Sequence, residues 1–173
     1  MLKENIHIDL VIETLDGPLR AHRAILASRS SVFDGMFGND FKEKNLGVVK
    51  ILNMSTDEVL TFLSYIYGTI KHDDFSKHSL TLMAAADIYD IQDLKDCSEE
   101  ILLADINTTN VLKRLGTAWL YKANKLMAEC LKYLFEFGML YVVRKELKDF
   151  FRMADRELLL EFFEEVFTVW KNL

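Results

Sequence analysis

The run IDLVIETL at Ile8–Leu15, followed by Asp16-Gly17 and then PLRAHRAILAS at Pro18–Ser28, decides the fold class. Its first part is rich in Ile, Leu and Val, and an Asp-Gly pair before Leu19 to Ala21 is the signal of a β-hairpin. Pro18 sits beside the turn, where a missing N–H costs little. The chain then changes period at once, because Arg23 to Ser28 reads as a helix. One strand pair feeding one helix requires mixed α and β structure from the start.

Working outward, Ser30 is placed to cap a second short helix in which Val32, Phe33, Met36 and Phe37 recur at spacings of three and four, closed by Gly38. Residues 39–47 form a polar loop, and Val48, Val49, Ile51 and Leu52 a third strand. Ser55-Thr56-Asp57-Glu58 is a capping box that opens a helix with Val59, Phe62, Leu63, Ile66 and Tyr67 as its buried stripe. A loop from His72 to His78 is expected next, then helices over Ser79–Tyr89 and Leu94–Leu103. Beyond them only helical periodicity is found, over Thr109–Tyr121, Asn124–Phe137, Leu147–Ala154 and Asp155–Trp170, with Gly138 as a terminator. Leu158, Leu159, Phe162, Phe163, Val166, Phe167 and Trp170 share one face of the last helix and are expected to be core. The pattern is α+β to about residue 103 and all-helical after it.

Composition narrows function before any motif is considered. With 173 residues, half of them apolar, seven glycines and one proline, the chain is long enough to bury a core without disulfides. A net charge of -6 offers no basic field for phosphate neutralisation, so direct nucleic-acid binding is disfavoured. Cys97 and Cys130 lie inside helical patterns, as expected of buried thiols in a reducing compartment, the cytosol or nucleus. The longest uncharged stretch, Val59–Ile70, falls well short of the roughly 20 apolar residues of a membrane span. The short charged segment Met1–Asn5 does not read as a signal peptide, and no lipidation or retention tail is recognised.

Catalytic chemistry finds no support either. His7, His22, His72 and His78 lack a helical H-x-x-x-H pair or a nearby C-x-x-C, so no metal site is expected. Nucleotide cradles and nucleophile elbows are missing, and Gly35 to Gly38 merely brackets a helix end. Asp73-Asp74, Glu99-Glu100 and Glu164-Glu165 diverge by about 100° on a helix and read as solvated faces rather than paired acids. His22, near Asp9, stands among Ala21, Ala24, Ile25 and Leu26, which suits a hydrogen-bonded structural histidine. No catalytic residue and no cofactor is predicted.

Together, Asp9–Ile12, Asp16-Gly17, Ala21–Ser30, Val32-Phe33, Met36-Phe37, Phe62–Tyr67, Ala84–Asp90 and Leu94–Cys97 resemble the BTB/POZ signature, in the right order over residues 6–103. Residues 104–173 look like the BACK-type helical continuation, with wording similar to plant BTB proteins that carry a MATH-like domain upstream. The resemblance implies a non-enzymatic adaptor that forms a homodimer and binds the third cullin, recruiting a protein for ubiquitination by a cullin-RING ligase. It places the cullin contact on Phe41, Lys42 and Glu43, a hydrophobic-x-Glu motif after the short helix, widened by Thr109–Tyr121 and Asn124–Phe137. It places the dimer contact on Ala24, Ile25, Ala27, Ser28 and Val32. Many members add a helix before the first strand, where this chain has only Met1 to Ile8. The alternative within the resemblance is a BTB dimer that binds corepressor peptides without a cullin.

Overall fold

The computed structural model describes residues 7–38, 47–136 and 138–171. The polar loop expected over 39–47 therefore falls, Gly47 apart, outside the described residues, as do Phe137 and the Glu165 and Trp170 side chains. Two compact units form, Met1–Ser98 and Glu99–Leu173. The first is α+β and the second helical, so the fold class is the one that the change of period predicts.

In the first unit β1 (Leu10–Glu13) pairs antiparallel with β2 (Pro18–Ala21), Leu10 opposite Ala21 and Glu13 opposite Pro18. Alternation puts Leu10 and Ile12 in the core. Thr14 closes the turn, its N–H and hydroxyl both donating to the Gly17 carbonyl, at 3.1 and 2.7 Å. Then β3 (Val48–Lys50) joins the other side of β1 in parallel, giving the order β2-β1-β3. Pro18 thus begins an edge strand, where the ladder needs no N–H from it. The strand expected to reach Leu52 ends at Lys50. Ile51 still donates to the Glu13 carbonyl, but Leu52 turns out to solvent.

Strands of three and four residues cannot stand alone. The helices α1 (Arg23–Arg29), α2 (Ser31–Gly38), α3 (Thr56–Ile66), α4 (His72–Ile88) and residues 92–98 of α5 (Gln92–Leu103) supply the rest of the core. Phe33 stacks on Tyr89 at 4.5 Å, and Tyr89 in turn meets Phe62 at 5.2 Å. Burial there pushes the Tyr89 phenol up to about 12.

The expected loop at His72–His78 is a correction, since these residues form the first two turns of α4. Asp73 and Asp74 lie in the first turn, where carboxylates complement the helix dipole. Phe75, Ser79, Leu82, Met83 and Ala86 then make one buried stripe. Lys77 and His78 both reach Asp57 of α3, at 2.8 and 3.0 Å. The charge-rich composition of 72–78 hid this, because its apolar stripe begins with a single phenylalanine.

The second unit holds α6 (Val111–Leu120), α7 (Asn124–Glu136), α8 (Met139–Val142), α9 (Arg144–Met153) and α10 (Arg156–Lys171). Val111, Leu115 and Ala118 are fully buried, as are Leu126, Cys130 and Leu134 of α7. Arg114, only 8 % exposed, donates to the Leu102 carbonyl at 2.5 Å and pairs with Asp105. Gly138, at φ 62, takes the left-handed conformation that ends α7 and starts α8. Residues 139–146 hold more helix than the periodicity suggests. The short α8 is four residues long and α9 starts three residues before Leu147.

The capping box is present with both reciprocal bonds. Glu58 accepts from the Ser55 N–H at 2.8 Å, the Ser55 hydroxyl at 2.9 Å and the Thr81 hydroxyl at 2.7 Å. The Ser55 backbone bond is the largest cause holding its carboxyl below the ordinary 4.5, with burial opposing. A lowered folded pKa contributes stability that is present above the unfolded value and lost as pH falls through the folded one. Glu58→Gln should therefore flatten the loss of stability on acidification below 4.5, followed by urea unfolding. Ser55→Ala should cost about 1 kcal/mol at neutral pH. An unchanged acid limb in Glu58→Gln would contradict this.

Candidate protein-interaction surface

The α1–α2 hairpin is held by side chains from distant segments. Asp9 accepts the Arg23 N–H at 2.9 Å, capping α1 in place of His22, which makes no side-chain cap of its own. His22 is buried, with its backbone N–H donating to the Tyr67 hydroxyl at 2.9 Å and its Nδ1 2.7 Å from the same oxygen. It is a structural histidine, as its apolar neighbours imply. Ser30 joins the two helices. Its hydroxyl donates to the Tyr89 carbonyl at 2.5 Å and accepts the Phe33 N–H at 3.2 Å. Ser31 bonds Asp90, and Arg29 pairs with Asp93, each at 2.5 Å.

These bonds turn Leu26 and Phe33 inward and leave the other side of the hairpin accessible. Ala24 and Ser28 are exposed, while Ile25, Ala27 and Val32 are half-buried. All five residues named for the dimer contact thus keep free surface. Ala24, Ala27 and Ser28, at i, i+3 and i+4, form a small-residue face that another backbone can approach closely. The Ser28 hydroxyl donates to the Ile25 carbonyl at 2.9 Å, so covering it would strand no polar group.

Phe41, Lys42 and Glu43 lie outside the described residues, between α2 and β3. The far end of that segment is fixed at Gly47, whose carbonyl accepts the Val11 N–H at 2.8 Å. Gly47 has φ 65, and a Cβ there would meet the Arg23 guanidinium at 3.0 Å. That left-handed backbone favours glycine, and a larger residue there would have to push the Arg23 guanidinium aside. The Ser30–Tyr89 lock and the Asp9 cap were missed by motif reading; adjacent serines at a helix break are the one local signal for the first.

Three other expectations need correction. Cys97 is exposed, not buried, because it lies on the outer face of α5; Cys130 is buried, which pushes its thiol up to about 12. Glu99 is more than a solvated acid, since it accepts the Leu126 N–H at 2.9 Å near the start of α7. In α10 the expected face is half covered: Leu158 and Phe162 are buried, but Phe163 and Phe167 are 50 % and 66 % exposed. Among the described residues no group of three or more His, Cys, Asp or Glu is placed to hold a metal. None of their helices is long and apolar enough to cross a membrane.

Comparison with known proteins adds the following. The family model for the BTB/POZ domain matches residues 1–106. The chain is 52% identical over 171 residues to BTB/POZ domain-containing protein At1g21780 of Arabidopsis thaliana, covering 99% of this chain and 52% of that protein. It is 48% identical over 172 residues to At1g55760 of the same plant, again covering 99% and 52%. The Caenorhabditis elegans protein maternal effect lethal 26 is 30% identical over 135 residues, 78% of this chain and 34% of that protein. The chain spans about half the length of the Arabidopsis relatives.

Ser30 tests the construction of the surface. Ser30→Ala removes the α2 cap and leaves the buried Tyr89 carbonyl without its partner, so it should lower unfolding stability by about 1–3 kcal/mol in urea. A loss below about 0.5 kcal/mol would show that the lock does not hold the hairpin.

Proposed function

The chain belongs to the BTB/POZ domain family, whose domain is a protein-interaction module, and on that premise we propose that it is a homodimeric adaptor of a cullin-RING ubiquitin ligase. It binds the third cullin and brings a protein to it for ubiquitination, with the chemistry performed by its partners. The observation that carries this reading is the placement of Phe41-Lys42-Glu43. The motif begins three residues after the end of α2 and stands in a segment otherwise made of Asn39, Asp40, Lys44, Asn45 and Leu46 before Gly47. A large aromatic ring in so polar a stretch gains most by burial in a partner's groove. Glu43 would orient the contact through a hydrogen bond.

Dimerisation is proposed on Ala24, Ile25, Ala27, Ser28 and Val32, whose accessible small-residue face supports it. Residues 104–173 are proposed as a BACK-like extension. The remaining half of the Arabidopsis relatives leaves room for the recruiting domain, MATH-like by resemblance. Action in the cytosol or nucleus follows from this role.

Burying Phe41 would contribute on the order of 2 kcal/mol, about thirtyfold in affinity. Calorimetric titration against a cullin N-terminal domain should show submicromolar binding that weakens by about that factor in Phe41→Ala. Unchanged affinity in the variant would remove Phe41 from the contact. Absence of binding by a folded dimer would favour a scaffold for corepressor peptides instead.

A further inference from the structure

We propose that the outer face of α9 is a docking surface for a short acidic segment of a partner protein, a role independent of the cullin reading. Arg144, Lys145, Lys148 and Arg152, with Asp149, line an open cavity of about 400 Å³. All five are exposed. Packing fixes which way they face. Leu147, Phe150 and Phe151 are half-buried on the other side, and the Phe151 ring meets Phe162 edge-on at 5.0 Å. Glu146 lies about 200° round the helix from Arg144 and does not line the cavity.

The two arginines are held in place. Arg144 donates to the Tyr141 carbonyl at 2.8 Å, and its guanidinium lies over the Tyr141 ring at 4.2 Å. Arg152 donates to Asp149 at 3.1 Å. Between them Lys145 and Lys148 have no ion-pair partner among the described residues. Four cations thus face one carboxylate, and the planar guanidiniums retain N–H groups suited to carboxylate oxygens.

Charge and reach decide the kind of partner. From Arg144 to Arg152 the helix rises about 12 Å, the span of about four extended residues. Nucleic-acid affinity grows with the number of phosphates neutralised, and this ridge has four cations to offer. The rest of the chain would also repel a long polyanion, given its net charge of -6. A short acidic peptide avoids both problems, because screening confines its interaction to within about 8 Å. Tyr141, 72 % exposed and lying under the Arg144 guanidinium, marks one end of the ridge, so an apolar residue flanking the acidic stretch would find a contact there.

The test is fluorescence anisotropy of a labelled oligo-glutamate peptide ending in leucine, titrated with the full chain and with Lys145→Glu/Lys148→Glu. Both lysines are exposed, and matching circular dichroism would show that the variant folds. Binding is expected at low salt, about tenfold weaker in the variant and weaker again as salt is raised. An oligo-glutamine peptide binding equally well, or a variant with unchanged affinity, would overturn the proposal. Tighter binding of an oligodeoxynucleotide or of phosphatidylserine vesicles than of the peptide would also overturn it.

Discussion

The parallel pairing of Val11–Glu13 with Val48–Lys50 is the constraint on which the first unit depends. Parallel neighbours cannot be joined by a tight turn, so the chain must leave the sheet and return. Here the excursion holds β2, α1, α2 and the segment that ends at Gly47. The surfaces proposed for the dimer and the cullin, the hairpin face and the Phe41 segment, therefore lie on one crossover. Its ends are fixed on β1 and α1: Asp9 caps α1, and the Gly47 carbonyl receives the Val11 N–H. An interaction module gains from this arrangement, because contact residues can vary while strand pairing and caps hold their positions.

Much of this was legible in the residues. The Asp16-Gly17 hairpin, the Ser55–Glu58 capping box and the change to all-helical structure each follow from a local rule with a physical cause, and local rules survive folding well. The start of α4 was not legible, because Lys71 to His78 is polar except for Phe75 and its ties run to Asp57 on another helix. Cys97 was misjudged because a thiol in a helical pattern carries no sign of which face it occupies. The long-range caps from Asp9, Ser30 and Glu99 join residues 14, 59 and 27 positions apart, beyond the reach of any spacing argument. Of the candidate site, Ala24, Ile25, Ala27, Ser28 and Val32 were reached through the family resemblance and not through any spacing, and the buried supports beneath them, Ser30 apart, carry no local signal.

The second unit poses a different physical problem. Its helices α6 and α7 each bury one apolar stripe, Val111, Leu115 and Ala118 on the first and Leu126, Cys130 and Leu134 on the second, whereas α10 leaves Phe163 and Phe167 at the surface. The adjoining α9 shows charge where α10 shows aromatic rings. Half-buried Leu147, Phe150 and Phe151 on the inner side and cations on the outer side make α9 two-faced, as befits a surface helix that packs one side against its own unit.

The central claim is that this chain is a dimeric binding module for a cullin. Native mass spectrometry of the chain mixed with a cullin N-terminal domain tests it most directly, since it reports both contacts at once. The predicted species contains two copies of the chain and two cullin domains. A spectrum holding only free cullin and the chain by itself, or a complex with a single chain, would contradict it.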